Sequence, residues 1–281
     1  MFHLHLATHL RRRCLSADLE GTESLILEQL TWPEVELAIT RGMTSVVIPV
    51  GAVEQHGPHL PLFVDAERGT ALGLRVARHL GDALLAPTIR VGWSEHHMGF
   101  AGTISLRKET LEAVLRDYCE SLARHGFQDI YLVPSHGGNF HPIEEMLSRL
   151  RSAVAEVSDS CRVAAYTDLL GFVSVWRWVV EEEVGLGRNV GGHADIAESS
   201  EMLFLHPGLV RMGRVEKGRA GELDSKLVAR AFEKGLRSIT PNGVLGDPRG
   251  MDANLGERLL DATALLVAER FREEREDEGE V

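Results

Sequence analysis

The amino-acid sequence predicts an α/β domain with a mainly parallel central sheet, and three observations carry that expectation. Short apolar runs at 45–50, 84–86, 130–133 and 162–166 alternate with amphipathic helical stretches, the pattern of strand–helix–strand units. The first run, Ser45-Val46-Val47-Ile48-Pro49-Val50, is continuously apolar, as a strand covered on both faces must be. Two polar clusters, one around Glu54 and His56 and one around His136 and Asn139, follow the carboxyl ends of separate strands. Open α/β sheets bind ligands at that edge.

Each element has its own local reason. Thr31-Trp32-Pro33-Glu34 reads as a helix start, with Thr31 as N-cap and proline in the first turn; Gly42 stops that helix. The strand at 45–50 runs into a loop punctuated by glycine and proline, and the next helix opens near Asp65. Leu72, Val76 and Leu80 recur on one face of it, and Gly81 closes it. Asp65 reads equally as that helix's N-cap or as a ligand. After Leu84-Leu85-Ala86 comes a long loop from Val91 to Leu106, rich in glycine and histidine; loops of that length in compact domains are usually functional.

A helix from 108 to 125 places Leu111, Leu115, Cys119 and Leu122 on one face. Ile130-Tyr131-Leu132-Val133 then ends in Ser135-His136-Gly137-Gly138-Asn139, where Asn139 reads as a cap of the following helix. Trp176 and Trp178 are expected to contribute apolar surface. A final helix carries Leu260, Ala264, Val267 and Phe271. The chain divides into an N-terminal extension, 1–26, and one domain over 27–281.

Composition narrows the function. The net charge of −12 disfavours nucleic acid, whose phosphates need a basic surface. No apolar run approaches the ~20 residues of a membrane span. Cys14, Cys119 and Cys161 form no paired framework, which points to a reducing cytoplasm.

The chemistry sits in the loop after the first strand. Burying a carboxylate or imidazole without a partner costs roughly several kcal/mol, so Glu54, His56, His59 and Asp65 behind a core strand need a compensating ligand. Glu54 and His56, at i and i+2 in an extended segment, point to one side. A carboxylate beside an imidazole suits a divalent transition metal.

Five ordered motifs then match a known family: Glu54-Gln55-His56-Gly57-Pro58-His59-Leu60-Pro61 with Asp65; Gly102-Thr103-Ile104-Ser105; His136-Gly137-Gly138-Asn139; His193-Ala194 with Glu198 and Ser200; and Gly243-Val244 with Gly246-Asp247-Pro248. From about Leu30 to Phe271 the chain resembles the creatininase (creatinine amidohydrolase) family. The resemblance implies a three-layer α/β/α fold and two divalent ions (Zn, Mn or Fe). It places Glu54, His56, Asp65 and His136 as metal ligands, with Asp65 bridging both ions. The implied activity is hydrolysis of an amide-type C–N bond by metal-bound hydroxide, in a small substrate such as a cyclic amide or formamide. Within the family the alternatives are a peptidase acting on a modified peptide and a hydrolase of a cyclic ketone of sugar or inositol type. A non-catalytic metal-binding scaffold is the alternative outside it.

There are departures from the pattern. Creatinine-hydrolysing members carry a Tyr-Glu pair at the positions of Gly137 and Gly138, and that Glu is a ligand. Its absence makes creatinine an unexpected substrate and nominates Glu198 for the second ion. In the family's H-A-G-E-x-E-T-S pattern, Asp195, Ile196 and Ser199 replace Gly, Glu and Thr. His193 reads either as a catalytic imidazole or as a structural one held by a carbonyl. His96, Gly137 and Gly138 are expected beside the substrate, with His97 in the pocket wall or behind the ligands. The expected partner is a small molecule, with no nucleic acid and no membrane, in a homo-oligomer that the family suggests is a hexamer.

Overall fold

The computed structural model describes residues 24–221 and 225–279. Four parallel strands form the central sheet: β1 (Ser45–Val50), β2 (Ala83–Leu85), β3 (Asp129–Pro134) and β4 (Arg162–Ala165), in the order β2-β1-β3-β4. β1 is central, and all six of its residues are buried. Pro49 is tolerated there because its carbonyl, which accepts from Ile89 at 2.9 Å, faces the side on which β2 has already ended. No ladder donor is lost at that point.

The pleat sends alternate residues into two cores. Val47, Leu85, Tyr131 and Val133 face a layer made by α2 (Val64–Leu80), α5 (Leu169–Val184), α6 (Ile196–Leu205) and α8 (Ala253–Gly279). Val46, Ile48, Leu84, Ile130 and Leu132 face α1 (Trp32–Thr40), α3 (Lys108–Arg124) and α4 (Gly137–Ala155). The result is a three-layer α/β/α fold. Cys119 lies in the second core, fully buried, as a small apolar residue.

The start of α1 is a capping box: the Glu34 carboxylate accepts from both the backbone N–H and the hydroxyl of Thr31. α2 ends on Gly81 at φ 86°, a left-handed C-cap. Three local expectations are corrected. Asp65 is the second residue of α2, two positions past the N-cap Phe63, so its carboxylate does not cap that helix. Asn139 caps nothing. Its amide donates to the carbonyls of Val50 and Gly51, and its oxygen accepts from Trp93 N–H, fastening the ends of two loops. Trp176 presents no apolar surface: it is 3 % exposed, and its indole N–H donates to Thr263 on α8.

Of the expected extension, residues 1–23 lie outside the described residues, and Cys14 with them; Ile26 bridges to Leu85 at the edge of β2. Beyond the main sheet, β5 (Val190–His193) pairs antiparallel with β6 (Leu245–Gly246) and delivers His193 towards the carboxyl edge of β1. No helix among the described residues is long and apolar enough to cross a membrane.

Candidate metal centre

β1 hands the chain to Gly51, which packs so closely on α2 that a Cβ would stand 2.7 Å from the Cα of Ala66. That contact presses the loop against the start of α2. The loop is then closed by the Glu54 N–H, which donates to the Leu62 carbonyl at 2.8 Å. Glu54 and His56 are thereby driven inwards beside Asp65 in the first turn of α2, and all three are buried. His136, at the N-cap of α4, reaches the same point from the end of β3.

The rings are oriented by backbone carbonyls. His56 donates from Nδ1 to its neighbour's carbonyl at Glu54 (3.2 Å), which turns Nε2 inwards. His136 donates from Nε2 to the Trp93 carbonyl (3.1 Å), which turns Nδ1 inwards. His193 donates from Nε2 to the Gln55 carbonyl (2.9 Å) and turns Nδ1 inwards. An imidazole fixed through its outer nitrogen is the usual setting of a metal-ligating histidine.

What the inward nitrogens face is carboxylate. His136 Nδ1 lies 3.2 Å from Glu54 Oε1 and 3.3 Å from Asp65 Oδ2. His56 Nε2 lies 3.6 Å from Asp65 Oδ1 and 3.5 Å from Glu198 Oε2. His193 Nδ1 stands further off, 3.9 Å from Glu54 Oε1 and 3.8 Å from Glu198 Oε2. Glu54 Oε1 and Oε2, His56 Nε2 and Asp65 Oδ2 are buried with no hydrogen-bond partner among the described residues. Orphaned polar atoms at this density call for a missing cation.

The spacings fit metal ions. Charge-assisted N–H···O bonds run about 2.7–2.9 Å, shorter than these contacts. Ligand atoms 2.0–2.2 Å from a shared ion sit roughly 3.3–3.6 Å apart on a tetrahedron. His136 Nδ1 faces Glu54 and Asp65 at about that spacing, and His56 Nε2 faces Asp65 and Glu198, so the two rings approach Asp65 from either side. The donor chemistry, imidazole with carboxylate, suits Zn, Mn or Fe. Glu54 with His56 and Asp65, His56 with His193 and Glu198, and Glu54 with His97 and His193 are each close enough to hold one ion.

The same crowding shifts the titrations. Burial pushes His56 and His136 down, but the surrounding carboxylates more than offset it: Asp65 with Glu198 raises His56 to about 9, and Glu54 with Asp65 raises His136 to about 10. Burial opposes the charge on Asp65, and His56 and His136 override it, holding its carboxyl well below the usual range.

Glu198 arrives on the first turn of α6. Asp195 caps that helix, accepting from Ala197 N–H, and its other oxygen takes the N–H groups of Gly191 and Gly192. The turn between His193 and Asp195 puts Ala194 at φ 52°, the one left-handed residue other than glycine among those described. Such strain costs about 1 kcal/mol, and here it aims the Ala194 N–H at Glu198 Oε2, 2.6 Å away.

The structure thus brings Glu54, His56, Asp65, His136, His193 and Glu198 together, and all of these but His56 line a cavity of about 70 Å³ with His96 and Gly137 in its wall. Gly138 is close by but faces elsewhere. A Cβ there would meet His136 Nε2, the Trp93 carbonyl and His96, so its role is to let α4 start tight against the histidine loop.

Three residues at the centre, Gln55, Arg68 and Glu201, were not singled out by their sequence, whereas His97 stands behind the ligands as expected. Gln55 donates its amide to His97 Nδ1 (3.1 Å), and His97 Nε2 in turn faces Glu54 Oε1 at 3.3 Å. Arg68, 2 % exposed, donates to Glu201 and Glu198. The available signal was spacing: Arg68 is three residues after Asp65, and Glu201 three after Glu198, so each pair shares a helix face.

Comparison with known proteins shows the family. The sequence model of the creatininase family, described as creatinine amidohydrolase, matches residues 28–271. A mycofactocin precursor peptide peptidase of Mycobacterium ulcerans is 32 % identical over 248 residues, covering 85 % of each chain. The creatinine amidohydrolase of Pseudomonas putida is 31 % identical over 263 residues, covering 90 % of this chain and 98 % of its own. A crystal structure of creatinine amidohydrolase superposes with a TM-score of 0.70 at 28 % identity, over 90 % of this chain and 98 % of that one. Other creatininase structures are described as a Zn-Zn type and as creatininase Mn.

Proposed function

The chain belongs to the creatininase family of metal-dependent hydrolases, and from that premise we propose that it cleaves an amide-type C–N bond at two divalent ions. Glu54, Asp65 and His136 hold one ion, and His56, Asp65 and Glu198 hold the other. The observation that carries the reading is Asp65, whose two oxygens face two different imidazole nitrogens at 3.3 and 3.6 Å, longer than charge-assisted hydrogen bonds of about 2.7–2.9 Å.

When bound, such an ion pair supplies an activated water at neutral pH and an electrophile for the amide oxygen. The chain's own residues do the rest. His193 Nδ1, at 3.8–3.9 Å from Glu54 and Glu198, stands a little further from the carboxylates than His56 and His136 do, although within reach of an ion. Its Nε2 is anchored on Gln55, so Nδ1 is the atom that receives a proton and returns it to the leaving nitrogen. His96, with Nδ1 unpartnered at the cavity wall, contacts the substrate's polar edge. Gly137 leaves that wall open.

A cavity of about 70 Å³ at the metal centre supports a compact reacting group, a cyclic amide or formamide. A peptide bond is the second reading, favoured by the relatives named mycofactocin precursor peptide peptidase. The deciding experiment loads the protein with Zn or Mn and assays cyclic amides, formamides and short peptides side by side. Turnover of one class identifies the substrate; turnover of none at full metal occupancy would leave a binding scaffold instead. The proposal extends to a cytoplasmic homo-oligomer, for which a monomer by light scattering at micromolar concentration is the contrary result.

A further inference from the structure

Arg68 is buried inside a group of three carboxylates, Asp65, Glu198 and Glu201, and the metal reading leaves it without a task. It shares one face of α2 with Asp65, and that face meets the face of α6 carrying Glu198 and Glu201. Its Nε donates to Glu201 Oε2 at 2.7 Å. Its Nη1 donates to the Ser135 carbonyl at 2.5 Å and to Glu198 Oε1 at 3.4 Å, and lies 3.7 Å from Asp65 Oδ1. The guanidinium is stacked over the Trp176 ring, 4.6 Å from its centroid. Three directions of restraint leave it no freedom to turn.

Stability alone does not account for so costly an arrangement. A buried ion pair is often no better for the fold than two apolar residues of the same volume. What the guanidinium does locally is divide the Glu198 carboxylate. Oε1 goes to Arg68, and Oε2, held by the Ala194 N–H, is the oxygen that faces His56. Glu201 balances the arginine's charge and takes its Nε, which fixes the plane of the fork. A freely turning guanidinium would compete with an ion for Asp65 Oδ1 as well. We infer that Arg68 is a positioning residue, locked by Glu201, that presents Glu198 through a single oxygen to the second metal ion. The inference rests on the reading of Glu198 as a ligand.

The test measures binding of zinc or manganese alone, ion by ion, by competition with a chelator, alongside the thermal midpoint of the metal-free protein. Arg68→Met with Glu201→Met removes the pair without changing net charge or leaving one charge buried. The expected result is a metal-free midpoint within a few degrees of the unaltered protein, with one of the two ions held at least ten-fold more weakly and the other unchanged. Arg68→Lys keeps a charge but cannot form the Nε/Nη1 fork, so it should show the same selective weakening; should the double variant fail to fold, this variant decides alone. Unaltered affinity for both ions in these variants would overturn the inference and leave Arg68 as a clamp between helices. Glu198→Gln separates the two layers of argument. If it keeps two tight ions, the ligand reading falls and the inference with it. If it loses one while the Arg68 variants keep both, only the inference falls.

Discussion

The Nδ1 atom of His136 stands 3.3 Å from Oδ2 of Asp65, with its ring held through Nε2 by the Trp93 carbonyl. A neutral ring so held turns a lone pair on a carboxylate, which is repulsive unless a second proton or a metal ion lies between them. Asp65 repeats the arrangement towards His56 with its other oxygen. The expected outcome is two divalent ions per chain in gently purified protein, measured by elemental analysis. Asp65→Asn should weaken both sites together, by roughly ten-fold or more, because the bridging charge serves both. His56→Ala should weaken one. A content near zero that added Zn, Mn or Fe cannot raise would sink the idea.

Protons compete for the same places. In the metal-free protein His56 lies at about 9 and His136 at about 10, so both rings carry a second proton at neutral pH. Binding of each ion should expel about one proton, and affinity should rise roughly ten-fold per pH unit between 6 and 8. Calorimetry in buffers of different ionisation enthalpy counts those protons. The stability of the metal-free fold follows the opposite sign. The folded-state values are raised above the unfolded value near 6.5, so the contribution is complete below that pH and is lost as pH climbs through 9. A metal-free protein that gained stability from pH 7 to 10 would contradict the assignment.

Glu54, His56 and His136 were legible because they follow continuous apolar strands, where a local reading suffices: nothing in a core strand explains an imidazole at its end. Asp65 was legible as a candidate, but it lies two positions inside the helix, since Phe63 rather than a polar side chain occupies the N-cap. Arg68 and Glu201 were not legible. An arginine on an amphipathic helix reads as solvated, and only the packing of α2 on α6, distant in sequence, buries it. Trp176 was misread for the same reason: α5 is covered by α8, which the order of elements does not reveal. Asn139 was taken for a cap because capping is the common local use of asparagine, whereas its partners lie 46 and 89 residues away.

Creatinine should not be turned over efficiently. Gly137 lines the cavity without a side chain, and Gly138 has no room for one, so neither supplies a contact or a ligand of the kind a Tyr-Glu pair would. The check is creatine formation by the metal-loaded protein. Rates comparable to those on its best amide substrate would show that the aromatic and acidic contacts are dispensable.

Glu198 and His193 divide the remaining work, and the distances say how. Glu198 Oε2 lies 3.5 Å from His56 Nε2, within the ligand spacing, while His193 Nδ1 lies 3.8 Å from that same oxygen and outside it. Metal sites of this kind normally use about three protein ligands plus water. Without Glu198, the ion beside His56 would lose its second carboxylate and keep that ring with one oxygen of Asp65. Glu198→Gln should therefore bring the metal content towards one ion per chain. His193 has its ring anchored on the Gln55 carbonyl, and its other nitrogen is placed to move a proton. General acid–base transfer of that sort is worth about 10²–10⁴ in rate. His193→Ala should lower turnover by that factor while both ions remain bound. Turnover and metal content measured on the same samples give the answer: two tight ions in Glu198→Gln, or a lost ion in His193→Ala, would mean the two roles are exchanged.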